Sequence, residues 1–371
     1  GIAKALDLDS SPKVYEQLCR SQIEVLNAPA ATDTQATICC TQEVPVFLEA
    51  WAEATSDDIF PNFVNIRETA GWSEEGPKST AKMAALIAEA QVSVPGSTIV
   101  SMNSDGRTLI LGHDDTAMDA AKRLAQHFDV TVLLTKADDI LPPALGNVPV
   151  FVGKVTQASG HLGKFVVNVD GFSTLDPSSR GSAHFLGSAQ KSMRIDADIL
   201  IDLRGTPTLF PSPDKRDGYL RADPAKPAAV ERVLFDALNL IGEFEKPRYV
   251  LHAGALCAHS RNSIVACTRC LDACPTSAIQ PAGDHVDIDP YICAGCGECA
   301  AVCPTGANSY QYPSVKGVMA RAQALLSTYQ KGGGSAPILL ITDASYGVQT
   351  IAMMARFGRG LPARVLPFTL N

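Results

Sequence analysis

Several features are scarce or missing in this 371-residue sequence, and each absence removes a class of function. Basic charge is not in excess: 31 Lys and Arg face 39 Asp and Glu, a formal net charge of −8. Recognition of a phosphate backbone needs a basic face, so no nucleic-acid partner is expected. No apolar run approaches the roughly 20 residues that cross a bilayer, so no membrane span is expected either. Gly-x-Ser-x-Gly, His-Glu-x-x-His and the phosphate loop are absent, which leaves no ready-made catalytic constellation. Aromatics are few, at 6%, yet 46% of the residues are hydrophobic, enough for two or three domain cores over this length. The first residue is Gly1 and the last stretch is apolar, which reads as a fragment of a longer chain.

Cysteine is the residue that is concentrated. Eight of the eleven lie between Cys257 and Cys303. The second run, Cys293-Ala-Gly-Cys296-Gly-Glu-Cys299-Ala-Ala-Val-Cys303-Pro304, is Cys-x2-Cys-x2-Cys-x3-Cys-Pro, the spacing of a 4Fe-4S site. Three closely spaced thiolates wrap one cubane, while the fourth, before a proline that fixes φ, serves the other cluster. The first run, Cys267-Thr-Arg-Cys270-Leu-Asp-Ala-Cys274-Pro275, keeps three ligands and has Ile264 where the first should stand. Cys257 is the better substitute because thiolate is the usual ligand; His259 is the alternative. The expected sets are Cys257, Cys267, Cys270 and Cys303 for one cluster, and Cys274, Cys293, Cys296 and Cys299 for the other. A zinc site is disfavoured by the repeated Cys-Pro, and a disulfide framework by the lack of a secretory signal.

These motifs resemble bacterial two-cluster ferredoxins over residues 251–312. In that fold Pro275-Thr-Ser-Ala-Ile279 and Val286-Asp-Ile-Asp-Pro290 fall at the short strands. A second resemblance lies at the N-terminus, in Cys39-Cys40-Thr-Gln-Glu, Phe63-Val-Asn-Ile-Arg67-Glu-Thr-Ala-Gly-Trp72-Ser and Lys78-Ser-Thr-Ala-Lys82. It is to the iron–sulfur flavoprotein of heterodisulfide reductase. The resemblance implies that Cys19 and Cys40 correspond to ligands of a further cluster whose other ligands lie upstream.

The expected fold class is α/β, with Rossmann-like βαβ units and an inserted α+β two-cluster ferredoxin-like domain. Residues 1–95 read as an N-terminal α/β domain with helices over Val44 to Ala54 and Lys78 to Ala90. Residues 96–250 read as a degenerate Rossmann-like domain: strands over Arg107 to Gly112 and Val130 to Thr135 flank a helix over Asp119 to His127. The resembled family binds FAD there, but the glycine-rich turn becomes Gly112-His-Asp114-Asp115-Thr-Ala117. Asp114 replaces the glycine that admits a diphosphate, and two carboxylates at a helix N-terminus fill the anion position themselves, so FAD is not expected. Further strands are expected at Val148 to Val152, Gly163 to Val169 and Ile199 to Leu203. His161 and His184 read as surface residues.

Residues 204–227 read as a Pro-rich solvated loop, with Lys215, Arg216 and Arg221 as candidate contacts to an acidic partner or to a cluster edge. A helix is expected over Ala228 to Phe244. Residues 251–312 are the dicluster domain. Residues 313–371 read as a C-terminal α/β unit, incomplete, that faintly resembles the small iron–sulfur protein of methyl-viologen-reducing hydrogenase. Thr342-Asp343-Ala-Ser-Tyr346 stands where that protein has cysteines.

The functional expectation is a cytoplasmic iron–sulfur protein that relays single electrons through two 4Fe-4S clusters to redox partners or a larger oxidoreductase complex. The rival expectations are a flavin-containing oxidoreductase component of the heterodisulfide reductase type, or a scaffold with structural clusters.

Overall fold

The structure is a computed structural model that describes residues 1–8, 14–31, 36–55, 60–136, 140, 148–176, 178–179, 183–186, 190–259, 266–283 and 285–370. Ile264, where the first run departs from the ligand spacing, lies outside them. The chain forms two compact units: Gly1–Gly96 with Pro313–Asn371, and Ser97–Tyr312. Packing thus groups the first and last of the four sequence segments together, and the two middle ones together.

The larger unit is built on a seven-stranded mixed sheet. Its strands are β1 Arg107–Gly112, β2 Asp129–Leu134, β3 Val150–Ser159, β4 Phe165–Thr174, β5 Gln190–Ala197, β6 Ile199–Asp202 and β7 Tyr219–Arg221. Their order is β7-β6-β1-β2-β3-β4-β5. Strands β7, β6, β1, β2 and β3 run parallel, and β4 and β5 extend the sheet as an antiparallel meander. The sequence of β1 and β6 is almost continuously apolar because both faces of these strands are covered. Ile110, Val132, Leu134 and Ile201 point to one side, where they pack with the apolar faces of α1 Asp115–Leu124 and α2 Pro227–Ala237. Leu109, Leu111, Leu133 and Leu200 alternate to the other side and meet Phe165, Phe210 and Tyr219.

Helix α1 begins four residues before the sequence expectation, because the Asp114 carboxylate accepts the Thr116 N–H at 3.1 Å and caps it there. Helix α2 stops at Ala237 rather than Phe244. Residues Gly242–Pro247 leave it to form an antiparallel ribbon with Ile99–Ser104. Strand β7 lies inside the segment expected to be a loop. The chain enters this unit at Thr98, whose carbonyl accepts the Arg248 N–H at 2.7 Å. It leaves at Gln311, whose N–H donates to the Tyr249 carbonyl at 2.8 Å.

Buried carboxylates fasten the sheet. Asp198, 1% exposed, accepts the backbone N–H groups of Asp105 and Arg107 at 3.0 Å and the Arg107 guanidinium at 2.5 Å. It joins the starts of β1 and β6. Asp202 takes both arms of Arg204 at 2.8 Å and the Tyr219 hydroxyl at 2.6 Å.

In the smaller unit, helix Thr80–Ala90 packs with helix Val315–Lys331 and the parallel pair Ile338–Asp343 and Val365–Leu370, around Ala85, Leu86, Leu325, Leu366 and Phe368. Lys82 is fully buried there, with its ammonium donating to the Pro362 carbonyl at 3.3 Å. Burial pushes its pKa down from 10.5 to about 8, against a weaker opposing attraction from Glu75.

Two outcomes are expected. Asp198→Ala leaves two backbone donors and a guanidinium unpaired and costs about 3–5 kcal/mol, read as a lower denaturation midpoint. For Lys82, the unfolded chain holds its proton up to pH 10.5 while the folded chain gives it up near pH 8. Stability therefore rises across that window, by about 3 kcal/mol. Lys82→Met flattens that rise in thermal melts taken from pH 7 to 10.5 and is at least as stable as the parent at pH 7.

Candidate iron–sulfur site

Within the larger unit, the described residues of 250–312 form a small module of two short antiparallel pairs, two short α-helices and a 3-10 turn at Gly254–Leu256. Val250–His252 pairs antiparallel with Asn308–Tyr310, closing the module's ends, and Ile279–Ala282 pairs antiparallel with His285–Ile288. The second pair begins only at Ile279, so Pro275–Ala278 is turn rather than strand. Arg269–Ala273 and Glu298–Ala301 are single-turn helices that carry Cys270 and Cys299 inward, where both are buried. Between Cys293 and Cys299 the backbone turns through Gly295 at φ 71° and Gly297 at φ 76°. A Cβ on Gly295 would stand 2.7 Å from the Tyr249 ring, so this turn admits no side chain on either count.

The eight cysteines of this module gather into two sets, and none of the chain's cysteines is in a disulfide. Cys257, Cys267, Cys270 and Cys303 line one cavity together with His252, His259 and Asn308. Burial pushes the Cys270 thiol up, and Cys257 and Cys267 add to this by mutual repulsion, against a hydrogen bond from Asn308. Cys303 behaves differently. Burial opposes its ionisation, but N–H groups of Asn308, Thr305 and Ala307 and the Thr305 hydroxyl outweigh that and hold it at about 7.

In the second set, burial pushes Cys299 up to about 12, and Cys293, Cys296 and Cys274 reinforce it. Cys293 is raised for the same reasons, burial first and then Cys274 and Cys296. Cys270, Cys293 and Cys299 thus resist ionising where they are buried beside other sulfurs, and positive charge among them would favour their thiolates. That is the chemistry a cluster of irons supplies.

Two further observations fit such a group. The His259 side chain is 1% exposed and its Nε2 has no partner; the Nε2 of His252 is buried and unpartnered as well. Both point to something else in the cavity they line. Among the described residues no three His, Cys, Asp or Glu side chains converge on a single-ion position. Cubane thiolates stand around four irons rather than around one, so the looser spacing suits them.

Sequence reasoning missed several neighbours of these sulfurs. Each run reads Cys-Pro-Thr, and in both the threonine hydroxyl stands 3.7 Å from the cysteine sulfur, Thr276 at Cys274 and Thr305 at Cys303. The repeat is visible in the sequence. The other partners come from distant elements and leave no local signal. Ser212 donates to the Pro275 carbonyl at 2.8 Å, Arg216 to the Thr276 carbonyl at 3.1 Å, and Lys246 to the Tyr291 carbonyl at 3.0 Å.

The solvated-loop expectation for residues 204–227 is therefore corrected at Arg216, which is buried; Lys215 and Arg221 stay exposed. His161 is corrected too. It is buried and stacks on Tyr291 at 4.5 Å, whereas His184 is exposed.

At the β1–α1 turn, a Cβ on Gly112 would fall 2.3 Å from Ala117, so this glycine serves close packing of helix on strand. Thr135 donates its N–H to the Gly112 carbonyl at 2.9 Å. In the smaller unit Cys19 and Cys40 pack against one apolar cluster that includes Phe47 and Trp51.

Comparison with known proteins bears on part of this arrangement. The family model for a 4Fe-4S dicluster domain matches residues 265–307, which hold seven of the eight cysteines and leave Cys257 outside. A ferredoxin described as 7Fe, from Hydrogenibacillus schlegelii, is 45% identical over 38 residues, 10% of this chain and 49% of that protein. The chain thus spans about half the length of that curated relative. Among solved structures, an oxidoreductase from Agrobacterium tumefaciens is 19% identical, over 29% of this chain and 38% of that one, with a TM-score of 0.18. Residues 265–307 of this larger α/β chain are a 4Fe-4S dicluster domain, and such a domain implies two 4Fe-4S clusters.

Proposed function

We propose that this chain is an electron-transfer subunit that relays single electrons between a redox partner and a larger oxidoreductase complex. The observation that carries the reading is the sorting of eight free thiols into two groups of four within one small module. Cys257, Cys267, Cys270 and Cys303 hold one cluster; Cys274, Cys293, Cys296 and Cys299 hold the other. When bound, such clusters supply reversible one-electron chemistry without bond making at a substrate. The chain's own residues orient the ligands, exclude water and donate to sulfur: Thr276 and Thr305 from their hydroxyls, and Asn308 beside Cys270.

The sheet acts as the module's scaffold. Its parallel strand order with a crossover helix after β1 supports a Rossmann-like ancestry, but Asp114 already takes the α1 N–H that a diphosphate would use. No flavin step is assigned to it. Free thiols suit a reducing compartment such as the cytoplasm.

One observation favours a second ligand set. His259 Nδ1 lies 2.8 Å from the Cys267 carbonyl, which only accepts, so the neutral ring carries its proton on Nδ1 and a lone pair on the buried Nε2. Metal-binding imidazoles are oriented in this way. In that set His259 replaces Cys257.

The tests start from anaerobically reconstituted protein. About eight irons and eight acid-labile sulfides per chain, reversible reduction and no released flavin are expected; stoichiometric flavin or clusters that cannot be reduced would refute the carrier. Cys257→Ala is expected to lose about half of the iron while His259→Ala keeps all of it. The reverse pattern establishes the histidine set.

A further inference from the structure

Arg216 is a buried cation without an anion. Its residue is 7% exposed, and its guanidinium lies over the Phe210 ring at 4.7 Å. The two terminal nitrogens donate to backbone carbonyls, Nη1 to Gly160 at 3.0 Å and Nη2 to Thr276 at 3.1 Å, and Nε–H has no partner. Among the described residues no carboxylate pairs with it. Asp289 and Asp217 attract it only at longer range; Asp289 is turned to the Tyr291 and Ile292 N–H groups, and Asp217 to the Lys246 ammonium at 2.6 Å. A guanidinium cannot shed its proton to escape burial, so it requires negative charge nearby.

The neighbouring chain is Cys274-Pro275-Thr276, and the Cys274 sulfur is within electrostatic reach of the guanidinium. A cubane with four thiolates is a multiply charged anion and gains another negative charge on reduction. Stacking on Phe210 and the hold on two carbonyls fix the cation at that position. Lys246 also favours the Cys293 thiolate, but its charge is shared with Asp217 at 2.6 Å, whereas Arg216 has no carboxylate of its own among the described residues. Among the described residues no comparable cation faces the Cys257 set, whose cavity is lined by His252, His259 and Arg269 beside its thiols; Arg269 is exposed to solvent, where its charge is screened.

We propose that Arg216 is the fixed counter-cation of the cluster held by Cys274, Cys293, Cys296 and Cys299, and that it makes this cluster the preferred resting place of the electron. The inference rests on the two-cluster reading above. The residue is a positioning residue for charge: it touches no substrate, and it acts by stabilising the more negative oxidation state from a site without solvent.

The test is a potentiometric titration followed by electron paramagnetic resonance on the full chain, comparing the parent with Arg216→Gln and Arg216→Lys. The two centres are assigned by Cys296→Ser, which perturbs only the second set. The expected result is a shift of that centre to more negative potential in Arg216→Gln, with the other centre unmoved and most of the shift recovered in Arg216→Lys. If Arg216→Gln instead arrives with only one cluster, loss confined to the Cys274 set supports the proposal and loss of the other set overturns it. Full iron content with an unshifted potential, or an equal shift of both centres, overturns the proposal while leaving the carrier reading intact. A parent chain without reducible clusters defeats both.

Discussion

Thiols crowded together resist ionising, and the rest of this structure is arranged around that resistance. In the module of residues 250–312 burial raises Cys270, Cys293 and Cys299, and neighbouring sulfurs add to the cost, most at Cys299. Positive charge placed among them relieves it, as hydrogen-bond donors do at Cys303. The backbone supplies the rest of the design: glycines at left-handed positions let the chain turn between ligands, Cys-Pro redirects it afterwards, and hydroxyl, amide and N–H donors lean on sulfur. Cys303 stands apart in acidity because backbone N–H groups and the Thr305 hydroxyl outweigh its burial.

The sheet contributes stiffness at a distance. Its central strands are covered on both faces, and buried carboxylates at Asp198 and Asp202 lock the ends of β6 to β1, β7 and the chain beyond. A loop that hangs from such a frame has little freedom, which is why Ser212 and Arg216 can hold defined positions against the Cys274-Pro275-Thr276 segment. Rigidity in the sheet thus becomes close placement of charge in the module.

What can be read from the sequence follows from local repetition and periodicity. The Cys-x2-Cys-x2-Cys-x3-Cys-Pro run, the helix at Val44–Ala54 and the strand at Arg107–Gly112 are each encoded in adjacent residues, and each lies where expected. The misplacements share one cause, long-range pairing. Phe244 falls in a strand rather than a helix because Gly242–Pro247 finds Ile99–Ser104 far away in the chain. Tyr219–Arg221 becomes β7 because β6 offers it an edge, although its own stretch reads as loop. Arg216 and His161 read as exposed because nothing next to them in sequence tells of Phe210, Thr276 or Tyr291. The start of α1 is the exception: the same Asp114 that obstructs a phosphate is a local capping signal, and it marks the true first turn of the helix.

The larger unit begins and ends on one dipeptide. Thr98 is bonded to Arg248 and Gln311 to Tyr249, so the two points where the chain crosses into and out of Ser97–Tyr312 are neighbours in space. To the smaller unit, whose two halves lie on either side of this insertion in sequence, a folded insertion is a short tether and an unfolded one is a very long loop. The entropy of closing a loop grows with the logarithm of its length. Joining Gly1–Gly96 to Pro313–Asn371 is therefore easier once the inserted unit has folded.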